Sequence, residues 1–470
     1  MFLENISNFI YNASYDNISS DTMATLKAGF LDFFAVTRRG FKEESTQIAI
    51  NSLKEIFSLQ DFSPLQSSVI GDSEIKLNIL SASFINGISA HCLDLDDGHR
   101  LAQIHLGAVI FPTALAISES HDLSGKEFLE AVSVGYEVGI MLGQLVNPHH
   151  RNNGFHTTGT IGAFVAGAVA CKLLKLDINQ IINALGLCGT QAAGLLESDH
   201  SGSMGKSLHV SNAIYNGLIS AFLAKNGFTG ANTIIEGDEG FLNCFVYDKH
   251  SLNKDDHSLK SMLANVSKVK VQEIYFKKYP FCRHLHSSID TALKLRVNLS
   301  EEYNHIENIV VKTYEIAAKH DNYEPENVGE LRQSLPYAIA IALVFGELSV
   351  DTINKLIKYG LLEKETKVTI ANDVKNLAKK IHIIEEDKFN QLYPQKRPSQ
   401  IIIKLDEHFR GGIFQNITSI PRGDYENPFE FKDLIDKFKQ LNPDYDISKL
   451  VIMDELENHN ISYVIKQLNG

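Results

Sequence analysis

The 470 residues carry a formal net charge of -13, with 44% hydrophobic and 21% charged residues. That balance is ordinary for a folded globular chain and excludes wholesale disorder. The negative charge and the lack of any Lys/Arg stripe exclude a phosphate backbone as partner, and the length allows roughly two or three domains.

Five cysteines, Cys92, Cys171, Cys188, Cys244 and Cys282, are odd in number and form no CxxC pair. Reduced thiols are expected, not a disulfide frame or a zinc knuckle. The first residues hold early acids and asparagines without a basic and then apolar stretch, so no export signal is visible and a cytoplasmic location is expected. Apolar runs such as Gly159 to Cys171 are rich in Gly and Ala and shorter than the about 20 residues a bilayer requires, which predicts buried helices and no membrane partner.

In chain order, apolar residues recur at helical spacing from Asp21 to about Asn226. Ser124-Gly-Lys-Glu127 is a capping box and predicts a helix running through FLEAVSVGYEVGIMLGQLV. Helices over 159–175 and 179–196 expose small residues along one face, which predicts closely approaching backbones in a dense multi-helix core. Near Val269 the texture changes: VKVQEIYF and IENIVVKTYEIAA alternate with period two, as half-buried strands do. Helices follow around Ser334–Glu347 and Thr366–Ile384, then SQIIIKLDEHFRGGIFQNIT, where Gly411-Gly412 marks a hairpin. After Pro421-Arg-Gly the helical pattern returns in FEFKDLIDKFKQL, a tail able to rejoin the first region. The expectation is a mainly α protein: a large all-helical domain over 1–267 and 419–470, formed by both chain ends, and a smaller α+β domain over 268–418.

Chemistry concentrates in four segments. The densest is His91-Cys-Leu-Asp94-Leu-Asp96-Asp97-Gly98-His99-Arg100, followed by His105, between apolar flanks. Burying such groups unpaired is costly, so a site and a solvated loop are the two readings of this segment. A third holds a hard cation on Asp94 to Asp97, as a metal-dependent helical lyase or synthase would, but the fixed charge of Arg100 opposes it. The second segment, Gly154-Phe-His156-Thr-Thr-Gly-Thr160, sets an imidazole before a buried helix, either as a functional group or as part of a structural helix start. The third, Ser203-Met-Gly205-Lys206-Ser-Leu-His209, has a lysine near a helix N-terminus, where lysine and helix dipole would jointly attract a carboxylate; a surface lysine is the plainer reading. The fourth, Lys277-Lys278-Tyr-Pro-Phe-Cys282-Arg283-His284-Leu-His286, can supply a cation, with Lys277 and Lys278 fitting a solvated turn.

Taken together, FINGISAHCLDLDDGHR (84–100), HLGAVIFPTALAISE (105–119), SGKEFLEAVSVGYEVG (124–139), GFHTTGTIGAFVAGAVACKLL (154–174), MGKSLHVSNAIYNG (204–217), KKYPFCRHLHSSIDTAL (277–293) and RGDYENP (422–428) resemble the MmgE/PrpD family in order and spacing. The resemblance implies a helical domain with a smaller α+β lid, a homodimer, no cofactor and no metal. It implies a lyase moving a proton at carbon on a small di- or tricarboxylate, as a dehydratase or decarboxylase of the 2-methylcitrate or cis-aconitate type. The alternatives are an epimerase of a dicarboxylate such as iminodisuccinate and a non-catalytic polycarboxylate-binding protein. Carried over by motif, Asp94, His105, His156, Lys206 and His286 are the expected catalytic residues, with Lys206, His286, Arg283, Gly98 and His99 as expected substrate contacts. His105 or His156 would take or deliver the proton, Lys206 and His286 would clamp carboxylates, and Asp94 would orient a histidine or hold a substrate hydroxyl. The chain departs from the family pattern at Gly98, where Thr or Ser is common, and at Leu106 and Thr157, where proline is usual.

Overall fold

Caps and close backbone packing determine where the helices start and how near they lie. The computed structural model describes residues 2–56, 63–246, 270–299, 302–408 and 411–469. Its principal helices are α1 (Ser20–Gly40), α2 (Ile79–His91), α3 (Gly107–Ser120), α4 (Gly125–Val146), α5 (Thr157–Leu173), α6 (Ile178–Thr190), α7 (Gly205–Lys225), α8 (His286–Leu299), α9 (Leu335–Phe345), α10 (Thr369–Ala378) and α11 (Phe431–Leu441). The main strands are β1 (Ile306–Thr313), β2 (Ile381–Glu385), β3 (Ser399–Leu405) and β4 (Ile413–Thr418). Contacts divide the chain into one unit of Met1–Glu197, Met204–Tyr275 and Glu430–Gly470, and a second of Ser198–Ser203 and Phe276–Phe429.

In the first unit the capping box forms as its residues dictate: the Ser124 N–H donates to Glu127 Oε2 at 2.9 Å and the Glu127 N–H to Ser124 Oγ at 3.3 Å. The helix it starts, α4, is long and apolar enough to cross a bilayer by length and composition, but 78% of its apolar window is buried among its neighbours. Helix α5 packs against α4 and α7, and α7 in turn against α2. A β-carbon on Gly217 of α7 would lie 2.5 Å from the backbone nitrogen of Gly167 in α5, so this approach requires glycine. Helix α6 ends at Thr190, short of the expected Leu196, because residues 194–196 turn back to bond the segment preceding α5.

The C-terminal tail belongs to this helical unit for a specific reason. Lys437 of α11 is buried, and its ammonium donates to Asp32 Oδ1 at 2.6 Å and to the carbonyl of Leu95 at 2.9 Å. Asn442 adds a bond to the carbonyl of Ala35. A buried ammonium demands partners, and in obtaining these two α11 braces both α1 and the acidic turn after α2.

The second unit carries a sheet of order β2-β1-β3-β4 in which β1 and β2 are parallel and the remaining pairs antiparallel. Strand β3 alternates buried Ser399, Ile401, Ile403 and Leu405 with half-buried residues, and α8 packs on β3 and β4. The glycines of the β3–β4 hairpin take φ of 61° at Gly411 and 122° at Gly412. The helix expected over Thr366–Ile384 is corrected: it stops at Ala378, and Ile381–Glu385 becomes β2, with Ile309 opposite Ile381. Ladder bonds to β1 outcompete a helical continuation for a segment rich in β-branched residues. The expected onset of strand texture at Val269 lies outside the described residues; from Val271 the chain makes one 3-10 turn and a two-residue strand, Ile274–Tyr275, paired with Gly98–His99.

Candidate active site

Helix α2 ends at His91, and the chain reverses through Asp94, whose φ of 51° is a left-handed conformation that Asp tolerates better than most residues. This turn directs three buried carboxylates to three different partners. Asp94 Oδ1 lies 3.0 Å from Lys206 Nζ, and Asp96 Oδ2 lies 2.8 Å from His91 Nδ1. Asp97 accepts the Gly107 N–H at 2.8 Å and the Tyr136 hydroxyl at 2.5 Å. The solvated-loop reading therefore gives way to a buried, partnered cluster. Burial pushes the Asp97 carboxyl up to about 7, against the bonds from Tyr136 and Gly107 that favour its ionised form. In the same way burial, with Asp97 beside it, holds the Tyr136 phenol well above its usual range.

His105 stands just before α3, with its backbone N–H on Thr158 Oγ1 at 3.1 Å. Its Nδ1–H donates to the Asp97 carbonyl at 2.7 Å, which puts the lone pair of the neutral ring on Nε2. The His91 ring lies 5.1 Å from that of His105 and 5.8 Å from that of His156. His156 is set by a short strand-like exchange: its N–H donates to the Gly194 carbonyl and the Leu196 N–H to the Gly154 carbonyl. Its Nδ1 lies 3.1 Å from Nδ1 of His209 in α7, so a single hydrogen is shared between the two rings. Burial, with His91, Lys206, His209 and His105 all nearby, holds His156 well below the ordinary imidazole range, and it is neutral at pH 7. The first unit thus brings together His105, His156, Lys206 and Asp94 from three separated segments.

Lys206 occupies the first turn of α7, a helix start without a side-chain cap, where amide N–H groups and the ammonium both favour an anion. Asp94 pairs with this lysine at 3.0 Å. Gly98 is explained by Tyr275: a β-carbon there would sit 2.5 Å from the Tyr275 hydroxyl. The phenol fills the space a threonine or serine side chain would need, and so brings a hydroxyl to that place from another segment. His99 is buried and its Nδ1 accepts the Ala102 N–H at 3.0 Å, which commits that nitrogen to the local turn.

Arg283 and His286 belong to the second unit. The Arg283 guanidinium donates to Asp424 Oδ2 at 2.8 Å and to His286 Nδ1 at 3.0 Å, and His286 Nε2–H donates to the Phe281 carbonyl at 3.2 Å. Both nitrogens of His286 are thus engaged by its own unit, in support of Arg283 and its neighbour loop. Lys277 is buried, contrary to the solvated turn expected for it, whereas Lys278 is exposed.

Sequence reasoning passed over His91, His209, Tyr136 and Lys437. His91 and His209 lay within segments already singled out, so proximity in sequence could have found them. Tyr136 and Lys437 lie 39 and 342 residues from their partners in the acidic turn and carried no local signal. Among the described residues, one group of three, His91, Asp96 and His105, brings a ligand-type atom from each within 4.8 Å of the others. Two of the three, His91 and Asp96, are hydrogen-bonded to each other, and the third, His105, donates to the Asp97 carbonyl, so these atoms already have protein partners. The Asp-x-Asp-Asp stretch likewise has its carboxylates turned to separate protein partners.

Comparison with known proteins extends this picture. A model of the MmgE/PrpD N-terminal domain matches residues 4–252, and one of the MmgE/PrpD C-terminal domain matches residues 279–449. The chain is 24% identical to cis-aconitate decarboxylase of Mus musculus, over 99% of this chain and 93% of that protein. It is 26% identical to cis-aconitate decarboxylase of Homo sapiens, over 92% and 83%, and 27% identical to that of Aspergillus terreus (strain NIH 2624 / FGSC A1156), over 72% and 71%.

Proposed function

The chain belongs to the MmgE/PrpD family and is a lyase of the dehydratase or decarboxylase type, and from that premise we propose that it decarboxylates a small unsaturated tricarboxylate such as cis-aconitate. The observation that carries the reading is the convergence of His105, His91 and His156, ring beside ring, next to the Asp94–Lys206 pair. The chemistry needs a cation and helix-terminal amides for a carboxylate and an imidazole to exchange a proton with carbon, and Lys206 at the start of α7 and His105 are the residues proposed for these tasks.

In the proposed reaction the bond between a methylene carbon and its carboxylate breaks and carbon dioxide leaves. The bonding pair forms a new terminal double bond as the old one shifts, and the former vinylic carbon takes a proton. His105, with the Asp96 carboxylate 3.6 Å from its Nδ1 to stabilise an imidazolium, is the proton donor through Nε2. Lys206 and the first turn of α7 hold a carboxylate that stays on the product. His156, kept neutral, lines the site as a hydrogen-bonding group.

The test is an NMR assay in deuterated water with citrate, 2-methylcitrate, cis- and trans-aconitate and iminodisuccinate, with and without EDTA. Cis-aconitate should give carbon dioxide and a terminal-alkene dicarboxylate bearing one deuterium, at the same rate with chelator. Turnover of another member of the panel alone would replace the substrate. A rate abolished by EDTA and restored by a divalent metal would replace the mechanism.

A further inference from the structure

Asp96 is shared unequally by two histidines. Its Oδ2 accepts the Nδ1–H of His91 at 2.8 Å and lies 3.6 Å from Nδ1 of His105, whose hydrogen goes to the Asp97 carbonyl. His91 is wholly buried, and its Nε2 has no hydrogen-bond partner among the described residues. Leaving a buried nitrogen unsatisfied costs stability, so this imidazole is poorly explained as filler. An apolar side chain would fit the same space without that penalty. Among the described residues, the hydrogen bond His91 makes is to Asp96.

We propose that His91 is a positioning residue that holds Asp96 on its own ring and away from His105, so that His105 remains a strong enough acid to protonate carbon. The inference rests on the proton-donor role proposed for His105. Its physics is the distance dependence of charge: a carboxylate brought from 3.6 Å into direct hydrogen bonding with an imidazolium raises the histidine's pKa and weakens it as an acid.

The other ionisable groups around His105 in the helical unit do not substitute for Asp96. Asp94, on the same turn, is paired with Lys206 of α7. Asp97 turns its carboxylate to Gly107 and to Tyr136 of α4, and offers His105 only its carbonyl. His156 of α5 is neutral and shares its Nδ1 with His209 of α7. Asp96 is therefore the negative charge closest to changing partners, and His91 decides which partner it has.

The experiment follows His105 by NMR in the full chain labelled with 13C at histidine Cε1, its resonance identified by its loss in His105→Gln. His91→Phe keeps a ring but no donor, and His91→Asn keeps an N–H near the position of Nδ1. The Phe variant should raise the His105 midpoint by about one pH unit, the Asn variant should leave it at the wild-type value, and adding Asp96→Asn to the Phe variant should abolish the rise. With cis-aconitate as substrate, the limb of the kcat profile that reports His105 should move upward with the midpoint, with KM little changed. Equal shifts in the Phe and Asn variants, or a rise that persists without the Asp96 charge, would overturn the proposal. If the Phe variant does not fold, Asp96→Asn alone decides: its His105 midpoint should fall, and an unmoved midpoint refutes the role. Lack of turnover by the wild-type protein would sink the functional reading and still leave the titration to decide this one.

Discussion

Lys206 reaches Asp94 across 112 residues of chain, with 3.0 Å between ammonium and carboxylate. The lysine side chain is 17% exposed and the aspartate 7%, so the pair is mostly sheltered and its interaction only weakly screened. The aspartate compensates the lysine, and under the proposed function the same lysine would also face a substrate carboxylate.

This arrangement predicts a coupled response. Lys206→Ala should raise KM for a polycarboxylate by roughly tenfold or more, because the anion loses its cation and meets the uncompensated charge of Asp94. Adding Asp94→Asn should recover part of that loss. Steady-state kinetics on the single and double variants measure the coupling, and strictly additive losses would show that the two do not act as a pair.

His105→Asn keeps a donor for the Asp97 carbonyl and removes Nε2, the proposed proton donor. Turnover should fall by on the order of a hundredfold or more, as loss of a general acid does, while circular dichroism and thermal unfolding stay close to wild type. Wild-type turnover in this variant would remove His105 from the reaction.

Gly98 and Tyr275 make a steric prediction. Gly98→Thr should destabilise the protein and depress activity, since its β-carbon would lie 2.5 Å from the Tyr275 hydroxyl. Combining it with Tyr275→Ala should restore much of the lost stability by clearing the space. The melting temperatures of the two variants decide it, with no recovery in the double counting against the overlap.

Asp97 makes a prediction about pH. Burial raises it in the folded state to about 7, above the ordinary carboxylate value of 3.8, so the native state binds this proton more tightly than the unfolded chain does. The associated stability is fully present below about pH 4 and is lost as pH rises through about 7, on the order of a few kcal/mol. Asp97→Asn should remove that contribution, so urea unfolding of wild type minus variant should decline across this window. A difference that is constant with pH would show that Asp97 does not titrate there.

The fold class was legible because its signals are local. The Ser124–Glu127 capping box, the helical spacing of apolar residues and the glycines at 411 and 412 each act within a few residues, and each formed. The helix-to-strand change at Ile381 was not legible, since a β-branched segment after a helix becomes a strand only when β1 is there to bond it. Of the site, sequence alone located the segments: the acidic turn, the imidazole before α5 and the lysine opening α7.

Partner choice was decided by tertiary structure. Nothing in a string of three aspartates says that Asp94 takes Lys206, Asp96 takes His91 and Asp97 takes Tyr136, because those choices depend on the crossing of α2, α4 and α7. Lys437 is the clearest case: in sequence it is one lysine of an amphipathic tail helix, and only burial beside Asp32 and Leu95 makes it a brace for the acidic turn. Residue types follow from sequence, whereas burial, which forces each charge to find a partner, belongs to the assembled core.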